Sequence, residues 1–326
     1  MNWRSLYKPC NMAVMPSKSQ KNLTLGILAG IVTGMLWGIV FVVPQVLPDF
    51  TPLELSLGRY LFFGIASSFT LKRTWSDFKG FNTRDKWQVF WLSASGFWLY
   101  TILLFWAVNE AGGVLSTLVI GLLPITIPLA AKRTWKLDKF FALGLSLIFT
   151  GLLVLEVGPM ITHKTPALTL RGVIPLVSCL AMWTWFGIKN TDFVQKHPEA
   201  KVSLTNLMGL SSFIILVVIG VFLVDLPQLL HHPQFGLFVM WSAIIGFGSS
   251  WAANVLWNIC SKNCPATISG PLVVAETTFG LIYTFMFQTR LPTGFETAAI
   301  ALFGFGVFLA IRTEIKDHLS PQPAAI

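Results

Sequence analysis

The chain has 326 residues, of which 54% are hydrophobic and only 11% charged, and its mean hydropathy is +0.68. A soluble globular chain carries roughly 25% charged residues, so most of this one avoids water, and the two soluble domains its length would suggest are excluded. The net charge of +9 does not make it a nucleic-acid binder, because the cations lie in short loops between apolar runs and form no basic face.

Residues 1–22 are a polar N-terminal tail with Arg4, Lys8, Lys18 and Lys21. The apolar run that follows is longer than a signal-peptide core and ends in no small-residue cleavage site, so it reads as an uncleaved first span. Ten apolar runs recur, at 23–43, 52–71, 88–108, 112–131, 139–157, 172–190, 203–224, 235–257, 265–288 and 292–311. A run of about 20 residues crosses the hydrocarbon layer as a helix, whereas a strand needs about half as many. A short polar linker, 158–171, divides the runs into two fives, and 313–326 form a C-terminal tail. No loop is long enough to house a soluble domain.

With the N-terminus cytoplasmic, 19 of the 23 Lys and Arg fall on the cytoplasmic side and only Lys164, Arg171 and Arg290 on the other, with Arg59 inside a span. That bias places both termini in the cytoplasm. Five is odd, so the second half (172–312) enters the membrane from the side opposite to the first (23–157), an inverted repeat of a kind common in transporters. Weak internal similarity agrees: Phe105-Trp106 precedes the fourth run as Leu256-Trp257 precedes the ninth, and in the same register Gly121-Leu122-Leu123-Pro124 falls near Val273-Val274-Ala275-Glu276.

Two charges lie inside spans. Glu276 is placed about 16 Å along the ninth helix, where a charge costs at least roughly 2.5 kcal/mol. Ser269, Glu276 and Tyr283, spaced by seven, share a helix face. Glu276 could bind a substrate ammonium or couple to protons; the plainer reading is a protonated side chain bonded to a neighbouring helix. Arg59, in the second helix, either snorkels to the outer surface or binds a carboxylate, and with Glu276 it would suit a zwitterion.

The eighth helix carries a polar stripe, Ser250, Asn254, Trp257, Asn258 and Ser261, that would line a path or bond neighbouring helices. Of the 13 tryptophans, Trp75, Trp87 and Trp135 suit interface anchors. Trp37, Trp98, Trp183, Trp185 and Trp251, with Tyr100, lie within spans, either as packing or as walls for rings and cations. Gly26, Gly30, Gly34 and Gly38 recur every fourth residue along the first helix and predict close approach of a neighbour. Pro124, Pro128 and Pro271 fall in the fourth and ninth spans and kink or loosen them. The four cysteines, Cys10, Cys179, Cys260 and Cys264, show no disulfide or zinc spacing. No nucleotide-binding loop, paired-carboxylate site or metal cluster is visible, so no cofactor is expected.

Leu36-Trp37-Gly38-Ile39-Val40-Phe41, Leu57-Gly58-Arg59-Tyr60-Leu61-Phe62, the turn Ala111-Gly112-Gly113 with Ser116 and Leu123-Pro124, and Phe287-Gln288-Thr289-Arg290-Leu291-Pro292 together resemble the EamA-type members of the drug/metabolite transporter superfamily over residues 23–312. Two positions depart from the family pattern: Thr289 stands where many members carry Glu, and Glu276 where many carry Pro. The resemblance implies an all-α integral membrane protein of ten transmembrane helices, two inverted five-helix repeats around a central cavity, with solute export as the commonest role. It lies near the exporters of aromatic amino acids and amphipathic compounds.

The expectation is therefore a non-enzymatic secondary transporter or facilitator in a bacterial inner membrane. Its partners would be a small-molecule solute and the lipid bilayer, with no nucleic acid, and it would act as a monomer or homodimer. Amino-acid export leads; efflux of cationic or aromatic drugs is the rival, and a non-transporting receptor or assembly protein is the rival of another class.

Overall fold

The computed structural model describes residues 17–131, 139–161, 169–197, 200–263 and 272–319, and every regular element among them is helical. Among the described residues the helices group into ten successive rods, numbered in chain order. The first is α1 (Ser17–Gly38), which tightens into a 3₁₀ turn at Ile39–Phe41 and ends in one further turn, Val43–Val46. The second is α2 (Pro52–Ser68), followed by a short α3 (Leu71–Gly80). The third rod joins α4 (Thr83–Ser93) through a π-turn at Ala94–Trp98 to α5 (Leu99–Ala111), and the fourth is α6 (Gly113–Ile120) with α7 (Leu123–Ala131). α8 (Lys139–Ile161), α9 (Leu170–Lys196) and α10 (Lys201–Leu223) are the fifth to seventh. The eighth joins α11 (Phe235–Ala243) through a π-segment, Ile244–Ala252, to α12 (Ala253–Asn263). α13 (Val274–Phe287) and α14 (Gly294–Leu319) are the ninth and tenth.

By length and composition, five stretches can cross a membrane: Thr24–Val46, Thr83–Ala111, Leu170–Asn190, Val202–Leu223 and Phe235–Cys260. Gly113–Ile127, Ala142–Val154, Val274–Phe287 and Gly294–Leu309 are shorter apolar helices, and α2 carries Glu54 and Arg59. Helix boundaries depart from the hydropathy edges because backbone hydrogen bonding outlasts the apolar run. Thus α1 begins inside the expected tail, α8 and α9 extend into the expected linker, and α14 runs on to Leu319. The N-terminal sixteen residues, Trp135, Cys264, Ser269 and Pro271 lie outside the described residues.

Local chemistry sets several helix starts. Thr51 and Glu54 form a reciprocal capping box at α2, the Thr51 amide donating to Glu54 Oε2 (2.7 Å) and the Glu54 amide to Thr51 Oγ1 (3.3 Å). Thr293 and Glu296 repeat it at α14, at 2.7 and 3.3 Å. Each satisfies two of the amides a helix start leaves unpaired. Between α5 and α6 the chain reverses at Gly112, whose φ of +80° favours a residue without Cβ.

The packing has a pattern under exchange of the two halves. The first rod packs on the eighth as the sixth packs on the third; the first packs on the ninth as the sixth packs on the fourth. The second and seventh rods pack on each other, as do the fifth and tenth. The glycine ladder of α1 faces α13: a Cβ on Gly34 would meet Ala275 Cβ at 2.5 Å and the Glu276 amide nitrogen at 2.8 Å. Only hydrogen at these positions lets the two backbones come so close.

Candidate functional site

Arg59 sits two turns into α2 and is turned inward, 7% exposed. It does not snorkel, because polar partners inside the bundle reach it first. Its Nε donates to Ser250 Oγ (2.7 Å) and its Nη1 to Thr101 Oγ1 (3.2 Å). The Tyr60 hydroxyl shares Thr101 Oγ1 at 2.7 Å, and the guanidinium carbon lies 5.5 Å from the Tyr60 ring centroid. Ser250 can accept from Arg59 because its own proton goes to the Ile245 carbonyl, five residues back (3.0 Å), a reach that the π-segment supplies. The cation is thus held by neutral hydroxyls, with no acidic side chain in contact with it among the described residues.

Glu276 lies in the first turn of α13, and residues 264–271 before it lie outside the described residues. Its carboxyl is buried and has no hydrogen-bond partner among the described residues.

Arg59 and Glu276 line one cavity, with Asn254, Trp37, Tyr100 and Trp183 from the predicted set. Its empty space, mouth included, is about 430 Å³, but only about 30 Å³ admits the centres of water molecules, room for about two waters. The aromatic wall is continuous: Trp37 meets Trp183 edge-on at 5.6 Å and Trp257 at 5.5 Å between ring centroids, Trp183 lies 6.3 Å from Tyr100 and 5.2 Å from Phe186, and Phe186 lies 5.8 Å from Phe97. Asn254 donates to the Ser250 carbonyl (2.6 Å), leaving its side-chain oxygen for the cavity.

The other predicted residues stand elsewhere. Trp257 backs Trp37 from behind the wall. Asn258 donates to Thr205 on α10 (3.3 Å), and so bonds a neighbouring helix. Trp98 and Trp251 pack against the apolar cluster around Phe63, Phe97 and Phe193. Trp185 is 39% exposed, on the outside of the bundle. Tyr283 packs on Phe279 (6.0 Å) away from the lining. Sequence reasoning missed Val40, Gly96, Phe97, Leu104 and Phe186 in the lining, and Thr101 as the partner of Arg59. Gly96 was the available signal: a Cβ there would meet Phe186 at 2.5 Å, and the glycine lies within the π-turn. Cys179 and Cys260 are buried and not bridged, and no metal-binding cluster occurs among the described residues.

Residues 24–157 match the EamA-like transporter family. Over 298 residues, 85% of this chain and 92% of the other, the sequence is 27% identical to inner membrane protein YtfF of Escherichia coli strain K12. A crystal structure 17% identical in sequence shares the fold, with a TM-score of 0.63 over 91% of this chain and 99% of its own. These similarities support a membrane transporter of small solutes. Within that class the chain is similar, over residues 24–157, to the EamA-like transporters.

Proposed function

We propose that this transporter exports small metabolites, amino acids or related amphipathic solutes foremost, across a bacterial inner membrane, as a secondary transporter or facilitator. One observation carries the reading: Arg59 and Glu276 stand on one cavity among aromatic rings. A guanidinium pairs with a carboxylate, a carboxylate with an ammonium, and ring faces accept apolar groups and cations. An α-amino acid with an aromatic or aliphatic side chain carries all three partners.

The proposed mechanism is rocking of one inverted five-helix repeat (23–157) against the other (172–312) around this cavity, with both termini cytoplasmic. Its support is the packing that survives exchange of the halves, and the π-turns found in both the third and the eighth rods. The small water-holding volume then belongs to a constricted stage of the cycle, and solute enters when the halves part.

A second reading, efflux of cationic or aromatic drugs, is favoured by the Glu276 carboxyl close to a tryptophan-rich wall. Flux into proteoliposomes with a panel of amino acids, organic cations and nucleotide sugars tests both. Amino-acid flux is expected. Cation flux without amino-acid flux would select the second reading, and no flux of any of these would overturn both.

A further inference from the structure

The short helix α3 neither lines the cavity nor belongs to the ten rods. At 100° per residue its side chains sort onto three faces. Thr74 and Asp77 face the protein: Asn206 of α10 donates to Thr70 (2.5 Å) and to Thr74 (3.5 Å), and the Ser203 hydroxyl donates to Asp77. These bonds fasten α3 to the start of α10. Leu71 and Trp75, one turn apart, point away from the protein, Trp75 being 52% exposed, and Phe69 beside them is 81% exposed. The third face carries Lys72 and Lys79, whereas Arg73 falls about 100° further round, beside Asp77; all three are exposed, with no ion-pair partner among the described residues. Lys79 Nζ lies 5.8 Å from the Trp75 ring centroid, which joins the cationic face to the apolar one.

The apolar runs of α2 and of the third rod enter the bilayer on either side of this helix, so α3 lies at the level of the headgroups. A helix there with aromatic and aliphatic side chains on one face and cations on the next has the form of an interfacial helix. We infer that α3 is a binding surface for the headgroups of anionic phospholipids, with Lys72 and Lys79 on the phosphates and Leu71 and Trp75 among the upper acyl carbons. The occupant follows from charge complementarity: two exposed cations, without an ion-pair partner among the described residues, beside an apolar stripe match an anionic headgroup above its chains. This surface is separate from the solute cavity, and its test does not depend on what the protein transports.

The full-length protein is reconstituted in vesicles of phosphatidylcholine and phosphatidylglycerol, with bromine on the acyl chains of one lipid at a time. Subtracting the emission of Trp75→Phe isolates the quenching of Trp75. Brominated phosphatidylglycerol is expected to quench Trp75 more than brominated phosphatidylcholine at equal mole fraction. Lys72→Gln and Lys79→Gln together are expected to abolish the preference, each cation contributing up to about fivefold. Salt tests the unsubstituted protein independently of any folding defect in the variant: the preference is expected to fade as the screening length shortens toward about 3 Å. Equal quenching by the two lipids, no quenching of Trp75 by either, a preference that survives the double substitution, or one indifferent to salt would each overturn the inference.

Discussion

Gly34 and Glu276 form a backbone contact between α1 and α13: a Cβ on Gly34 would stand 2.8 Å from the Glu276 amide nitrogen. Among the described residues, the one acidic side chain that lines the cavity is therefore positioned by a residue with no side chain on another helix. Any bulk at Gly34 pushes the first turn of α13, and with it the carboxyl, away from the site.

Gly34→Leu is expected to prevent assembly or abolish transport, since overpacking of this kind costs about 1–3 kcal/mol or more. Gly34→Ala should lower thermal stability by a smaller amount. Size-exclusion profiles after heating, with flux measured on whatever remains monodisperse, check both. Full stability and full flux in Gly34→Leu would show that the helices do not need this closeness.

Glu276→Gln keeps the shape of the side chain and removes its charge and its titration. Transport of ammonium-bearing solutes is expected to fall, and whatever pH dependence the flux shows should flatten. Flux against pH for the two proteins decides the matter. Unchanged flux together with an unchanged pH profile would remove Glu276 from both solute binding and proton coupling.

Arg59→Gln is expected to lower kcat/KM for solutes that carry a carboxylate by about 10- to 100-fold, the worth of about 1.5–3 kcal/mol in charged hydrogen bonds. Solutes with only a cation should be spared. Arg59→Lys should not rescue, because an ammonium lacks the planar fork that reaches Ser250 and Thr101 together. Equal losses for both solute types would reduce Arg59 to a structural role.

Thr101→Val leaves the Tyr60 hydroxyl and Arg59 Nη1 each short of a partner, at about 1–3 kcal/mol for a buried unsatisfied group. A lower Tm is expected, with a higher KM for carboxylate-bearing solutes and little change for simple cations. Comparing the two KM values separates loosening of Arg59 from general destabilisation.

At one end of the bundle Asp85 is buried and receives Lys196 Nζ at 2.5 Å and His197 Nε2 at 3.1 Å, tying the end of α9 to the start of α4. Asp85→Asn is expected to lower Tm, by about 1.5–3 kcal/mol at most, and less in practice because Lys196 is half exposed and screened by solvent. A thermal melt without change would mean that water replaces the pair at no cost.

Hydropathy revealed much of the fold, because an apolar run of span length has few alternatives in lipid. The glycine ladder was legible for a related reason: a four-residue spacing keeps one helix face bare. Arg59 and Glu276 stood out as charges in apolar surroundings. What periodicity could not show was register. A π-turn admits one extra residue, and every side chain beyond it is aimed differently from the α-helical expectation. Hence Gly96 and Phe97 reach the cavity while Trp98 packs behind it, and Ser250 reaches Arg59 while Trp251 does not. Trp185 illustrates the same difficulty: α9 is apolar on more than one face, and composition does not say which tryptophan looks inward.

The two π-turns also hold one residue of slack in each of the third and eighth rods. If either tightened to an α-helix, the part of the rod beyond it would turn by about 100° and advance by about 1.5 Å, while the backbone stayed hydrogen-bonded throughout. Phe97 lies within the first of these turns and Ser250 within the second. A change of winding would therefore take an aromatic ring from the cavity wall and a hydroxyl from the guanidinium. The bundle has at hand a way to release its grip on a solute by rotation, without parting any helix from its neighbour.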